Sequence, residues 1–215
     1  MNVDKNDMLL YAVTDRAWSD EESLYEQVKK AIKGGITFLQ LREKDLNDED
    51  FFKEAVEIKK LAKENNIPFI INDNVDIMLK ADADGVHVGQ SDMKAENVRE
   101  LIGKDKILGV SVHNLEEAKL AEEKGADYLG IGAVFSTSTK LDANDVSFET
   151  LKEICDNVSI PTVAIGGINK GNILKLKNSG VDGAAVVSAI FASKNIEKDT
   201  KELLNLSKEM VKGDY

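Results

Sequence analysis

Short apolar, β-branched runs recur along this chain, separated by charged stretches with helical spacing, and that alternation limits the fold more than any other feature. The runs fall at Met8–Thr14, Thr37–Arg42, Pro68–Asn72, Gly85–Gly89, Ile107–Val112, Tyr128–Phe135, Pro161–Gly166 and Gly183–Val187. Helical spacing marks Glu22–Lys33, Asp48–Asn65, Lys94–Ile102, Leu115–Lys124, Phe148–Asp156, Lys170–Ser179 and Ile196–Val211. Gly34-Gly35, Gly125 and Gly180 mark helix stops. Strands that alternate with helices pair in parallel through right-handed crossovers. Eight of them predict a (β/α)8 TIM barrel, one domain over residues 1–215. An open doubly wound sheet is the alternative, but its GxGxxG loop is missing after the first run, where the chain reads TDRAWSD.

Composition narrows the class of function. The chain has 215 residues, enough for a substantial single core. No apolar run approaches the roughly 20 residues of a membrane span. The acidic start MNVDKNDMLL lacks the pattern of a secretory signal, and the lone Cys155 has no internal disulfide partner. A cytoplasmic protein is expected. A formal charge of −11 argues against nucleic acid or an anionic membrane as partner. It leaves room for a small anionic ligand, which answers to the local cations of its pocket.

Polar clusters stand at the ends of the apolar runs, and a parallel barrel gathers those ends at one mouth. In QLREK, strand alternation puts Gln40, Arg42 and Lys44 on one face, and Leu39, Leu41 and Glu43 on the other. Cations looking into a packed barrel need an anionic partner, either a ligand or a neighbouring acid. Asp73 ends the third run and Asp92 lies just past the fourth. Adjacent strands sit roughly 5 Å apart, so these two carboxylates are placed to share a hard cation, magnesium rather than zinc. The plainer reading makes each a helix cap or turn residue. Asn72 and Ser111 either face the mouth or satisfy buried backbone. His87 and His113 have no nucleophile or metal partner at diagnostic spacing, and a structural role is expected for both. STSTK brings hydroxyls and Lys140 to the same rim. Gly166-Gly167 is expected to open a helix after the seventh strand, and Val187-Ser188 ends the eighth. Those two loops are the usual phosphate-binding sector of such a barrel. The mouth thus divides into a magnesium–diphosphate half and a monophosphate half.

At these residues the chain resembles the thiamine-phosphate synthase family, almost end to end. The matching segments are YAVTD at Tyr11–Asp15, QLREK at Gln40–Lys44, IND at Ile71–Asp73, GVHVGQSD at Gly85–Asp92 and GVSVH at Gly109–His113. ADYLGIGAVFSTSTK at Ala126–Lys140 and AIGGIN at Ala164–Asn169 follow in the right order. The resemblance implies a transferase that joins hydroxymethylpyrimidine diphosphate to a thiazole phosphate. It assigns Gln40, Arg42, Lys44, Asn72, Ser111 and Lys140 to the pyrimidine diphosphate, and Asp73 and Asp92 to Mg2+. Thr137, Ser138, Thr139, Gly167, Val187 and Ser188 are assigned to the thiazole phosphate. It implies a dissociative mechanism with no protein nucleophile, in which Arg42, Lys44, Ser111 and Lys140 are the catalytic residues. Ala133 and Ser136 stand where the family often has proline. A related thiazole tautomerase, which tends to carry histidine at Ala133 and to lack the acidic pair, is the nearest alternative. A non-catalytic barrel that binds thiazole phosphate is another. A phosphosugar epimerase on the same fold would want acid–base residues that this mouth does not clearly supply. A homo-oligomer is compatible with all of these.

Overall fold

The computed structural model describes residues 3–19, 22–89, 95–136 and 146–212. Eight strands form a closed parallel barrel: β1 (Leu10–Val13), β2 (Phe38–Leu41), β3 (Phe69–Asn72), β4 (Gly85–Val88), β5 (Ile107–Val112), β6 (Tyr128–Gly132), β7 (Thr162–Ile165) and β8 (Gly183–Val186). Each strand pairs with the next, and β8 closes on β1 with Ala185 opposite Tyr11. The (β/α)8 TIM barrel expected from the alternation is the observed fold.

The helices are α1 (Leu24–Gly34), α2 (Asp48–Glu64), α3 (Val75–Ala81), α4 (Ala95–Ile102), α5 (Leu115–Glu123), α6 (Phe148–Asn157), α7 (Ser188–Phe191) and α8 (Ile196–Lys212). Side chains at the strand-to-helix junctions start several of them. Asn47 accepts from Asp50 N–H before α2, Asn74 from Ile77 N–H before α3, and Asn114 from Glu117 N–H before α5. Two departures from the sequence reading concern length. VDIMLKA forms α3 in only seven residues, too few for its period to stand out beside its neighbours. Lys170–Ser179, expected as a helix, contains only the 3-10 turn Ile173–Leu176.

Alternation along the strands divides the core in two. Leu10 and Ala12, Leu39 and Leu41, Phe69 and Ile71, and Val86 and Val88 face outward and pack under the helices. Tyr11 and Val13, Phe38, Ile70, Ile107, Tyr128, Val163 and Ala185 face inward. Bulky rings of Tyr11, Phe38 and Tyr128 plug the middle of the barrel, with centroids 4.7 to 5.9 Å apart; Tyr128 meets the other two edge-on, and Tyr11 and Phe38 are tilted to each other. Nearer the C-terminal ends of the strands the inward positions are small or polar: Gln40, Ser111, Gly130, Gly132 and Ala185. That change of size hollows the barrel at one end only.

An aspartate just ahead of three strands finishes the opposite end. Asp84 accepts from Phe69 N–H at 2.8 Å, Asp127 from Leu108 N–H at 2.7 Å and Asp182 from Thr162 N–H at 2.8 Å. Each satisfies a donor at the start of the neighbouring strand that the parallel ladder does not reach.

Candidate active site

The hollow end holds a cavity of about 280 Å3. Gln40, Arg42, Lys44, Asn72 and Asp73 line it from the ends of β2 and β3. Ser111 and His87 reach it from β5 and β4, and Gly167, Val187 and Ser188 from the loops after β7 and β8. Nine predicted site residues therefore surround one space, drawn from five strand ends. Asp92, Thr137, Ser138, Thr139 and Lys140 lie outside the described residues.

The face of QLREK divides as strand alternation requires. Gln40 is buried beside Tyr11, Leu39 and Leu41 lie under the helices, and Arg42 and Lys44 reach the cavity. Arg42 has a protein partner as well: its Nη1 donates to Asp15 Oδ2 at 3.1 Å. Thr14 ties the same two loops together. Its hydroxyl accepts from Arg42 N–H at 2.9 Å. Glu43 points the other way, where Arg16 grips it by two hydrogen bonds of 3.0 and 3.1 Å and reaches Glu54 of α2 at 2.7 Å. With its side chain only 1% exposed, burial pushes the Glu43 carboxyl up to about 7, against the pull of Arg16 and with help from the charge of Glu54.

Asp73 follows β3 with φ of 61°, a left-handed conformation uncommon outside glycine and tolerated by aspartate. Its N–H donates to the His87 carbonyl at 2.8 Å, and its Oδ2 accepts from Asn72 Nδ2 at 2.6 Å. The carboxylate thus stands on the cavity wall, and helix capping falls to Asn74 instead. Hard, anionic oxygen is the donor chemistry that magnesium takes.

On the opposite wall, Gly166 and Gly167 turn with φ of 105° and 62°. A Cβ on Gly167 would stand 2.5 Å from the Ser136 carbonyl oxygen, so glycine is required for the loop after β7 to pass that of β6. These glycines do not open a helix, contrary to the sequence expectation. The 3-10 turn begins only at Ile173, so the donors here belong to a glycine turn and to the short α7 at Ser188.

Three residues escaped the sequence reading. Tyr11 and Tyr128 occur inside apolar runs and read as core, and His87 was expected to be structural. The structure places His87 Nε2 2.8 Å from Ser111 Oγ, and His87 Nδ1 2.7 Å from Tyr128 Oη. β4, β5 and β6 are neighbours in the sheet, and their pairing turns these three side chains to one inward face. His113 is paired instead with Glu117 at 3.0 Å. Burial pushes the Cys155 thiol up to about 11, away from the thiolate form that a nucleophile needs.

A family model described as thiamine monophosphate synthase matches residues 10–190. The chain belongs to the thiamine monophosphate synthase family. A thiamine-phosphate synthase of Clostridium botulinum is 53% identical over 199 residues, 93% of each chain. One of Clostridium beijerinckii is 54% identical over 201 residues, covering 94% of this chain and 96% of the other. Among solved structures, thiamine phosphate pyrophosphorylase from Pyrococcus furiosus superposes with a TM-score of 0.89 at 41% identity, over 96% of this chain and 98% of its own. Similarity of this extent makes the chain an enzyme of the thiamine monophosphate synthase family, a transferase of thiamine biosynthesis with the function of a thiamine-phosphate synthase. Among the described residues, no helix is long and apolar enough to cross a membrane.

Proposed function

We propose that this cavity condenses 4-amino-2-methyl-5-hydroxymethylpyrimidine diphosphate with a (carboxy)thiazole phosphate, releasing pyrophosphate. One observation carries the reading. Arg42, Lys44, Asn72 and Asp73 line the same cavity as Gly166, Gly167, Val187 and Ser188, so two anion-binding regions border one reaction space.

The pyrimidine diphosphate is assigned to Gln40, Arg42, Lys44, Asn72, Ser111 and Lys140. Asp15 engages Arg42 through one guanidinium nitrogen, which leaves the rest of a five-donor fork to the ligand. Asp73 and Asp92 would hold Mg2+, which when bound supplies positive charge to the diphosphate oxygens. The thiazole phosphate is assigned to Thr137, Ser138, Thr139, Gly167, Val187 and Ser188.

In the reaction the bond from the pyrimidine methylene carbon to the diphosphate oxygen breaks, and its electron pair leaves with the oxygen. Arg42, Lys44 and Lys140 stabilise that developing charge. The pyrimidine ring electrons stabilise the methylene cation left behind. The thiazole nitrogen then forms the new carbon–nitrogen bond, oriented through its distant phosphate. No protein nucleophile is needed.

Pyrophosphate release settles the matter. It is expected only with magnesium and both substrates together. Binding without release would instead indicate a thiazole-phosphate-binding barrel, and isomerisation of the thiazole alone a tautomerase. Ala133 on the cavity wall stands where tautomerases tend to carry histidine, which favours the synthase. Asp92→Ala is expected to raise the magnesium concentration needed for half-maximal activity; an unchanged titration would remove Asp92 from the ligand set.

A further inference from the structure

Both glycine carbonyls of the loop after β7 are held by groups that do not line the cavity. The Gly166 carbonyl accepts from Phe135 N–H at 3.2 Å. The Gly167 carbonyl accepts from two side-chain amides, Asn172 Nδ2 at 2.9 Å and Asn169 Nδ2 at 3.2 Å. Gly166, Gly167 and Ile168 do line the cavity. The peptides that join them are trans, and a trans peptide sets its N–H opposite its C=O. The N–H groups of Gly167 and Ile168 therefore point away from those anchors, to the side on which the cavity lies. Among the described residues neither N–H has an acceptor, although Ile168 is only 4% exposed. A buried backbone donor is rarely left without a partner. Two successive N–H groups turned to one side form a concave site for an anion.

Asn172 sets this sense. Both of its partners have fixed roles: Asn169 N–H can only donate, to Asn172 Oδ1 at 2.8 Å, and the Gly167 carbonyl can only accept, from Nδ2. One orientation of the amide satisfies both. Asn169 braces the turn from within, since its Oδ1 accepts from Gly171 N–H at 2.9 Å. Lys170 ties the outer side of the turn to α8, through Asp199 at 2.7 Å and Glu202 at 2.8 Å. Glycine at 167, with φ of 62°, leaves the next peptide free to rotate unless its carbonyl is held. A rotated peptide would present a carbonyl oxygen to the anion in place of an N–H.

We propose that Asn172 is a positioning residue: it fixes the Gly167–Ile168 peptide so that Ile168 N–H joins Gly167 N–H as a second backbone donor to the thiazole phosphate. This rests on the assignment of Gly167 to that phosphate made above.

Amide proton shifts of the nitrogen-15-labelled enzyme, titrated with the thiazole phosphate alone, read these contacts without turnover. In the wild type the Gly167 and Ile168 amide protons are both expected to move downfield, as donors to a charged acceptor do. Asn172→Asp keeps the acceptor for Asn169 N–H and sets a carboxylate oxygen against the Gly167 carbonyl. It is expected to abolish the Ile168 shift and to raise KM for the thiazole phosphate at least about tenfold, the scale of one hydrogen bond to a charged group. The kcat and the KM for the pyrimidine diphosphate are expected to stay unchanged, because a remote phosphate contact is made equally before and during the reaction. A wild-type shift at Gly167 without one at Ile168 would overturn the second donor and leave the Gly167 assignment standing. No shift at either amide would overturn that assignment together with the inference. A retained Ile168 shift or a wild-type KM in Asn172→Asp would overturn the positioning role.

Discussion

Arg42 shows how one residue serves fold and chemistry together. Its backbone N–H is held by Thr14 and one guanidinium nitrogen by Asp15, so the loop after β1 sets the aim of a side chain carried by the segment after β2. Its side chain is 17% exposed, which shields the pair from solvent while the cavity side stays open. Arg42→Ala is expected to lower turnover at least about 100-fold, as the loss of one strong electrostatic contact to a transition state does. Lys140→Ala should do the same, and near-wild-type pyrophosphate release in both variants would overturn the diphosphate assignment. Asp15→Ala removes the aiming contact, together with the cap that Asp15 gives Ala17 N–H, and leaves the Arg42 charge in place, so its expected loss is smaller, about tenfold. The inward aim of Arg42 was legible from strand alternation. Its partner was not, because Asp15 and Arg42 lie far apart in sequence and meet only through the pairing of β1 with β2.

Between elements, the Arg16–Glu43–Glu54 cluster joins the loop after β1, the end of β2 and helix α2. Its electrostatics predict a dependence on pH. The Glu43 carboxyl, with an ordinary value of 4.5, is raised to about 7 in the folded chain. A carboxyl that titrates higher when folded adds stability at low pH, and that contribution is lost as the pH rises through the folded value. Thermal unfolding temperature is therefore expected to fall as pH goes from about 5 to about 8. Glu43→Gln should flatten that part of the curve, and an equal slope in both proteins would exclude Glu43 as its source. Elements long enough to show their period, such as the 17-residue α2, were legible in the sequence to within a residue or so. The seven-residue α3 and the 3-10 turn after Gly167 were not, since a few residues carry too little periodicity to separate a helix from a loop.

At the scale of the whole molecule, the barrel closes where the two ends of the chain meet. β8 pairs with β1, α8 lies against α1, and Ser207 of α8 donates to the Leu9 carbonyl. The fit is close: a Cβ on Gly34 of α1 would stand 2.5 Å from Thr200 Cβ of α8. Leu203 of α8 is fully buried in the layer between sheet and helices. Leu203→Ala is expected to cost about 2–5 kcal/mol in urea unfolding. The folded enzyme should keep its kcat, because Leu203 lies outside the cavity wall; a stability change under about 1 kcal/mol would mean that α8 does not hold the closure.

The sequence by itself determined the number of strands, the face that β2 turns to the barrel interior, and the end of the barrel at which Arg42, Lys44, Asn72 and Asp73 gather. Those are local properties, written in periods of two and of about 3.6 residues. Only the tertiary structure decided which side chains touch: Asp15 with Arg42 and Arg16 with Glu43 through the pairing of β1 with β2, His87 with Ser111 and Tyr128 across the neighbouring β4, β5 and β6, and Tyr11 with Tyr128 across the closed barrel. These contacts join residues far apart in the chain, and their partners are set by the register of the sheet and by its return to its own first strand.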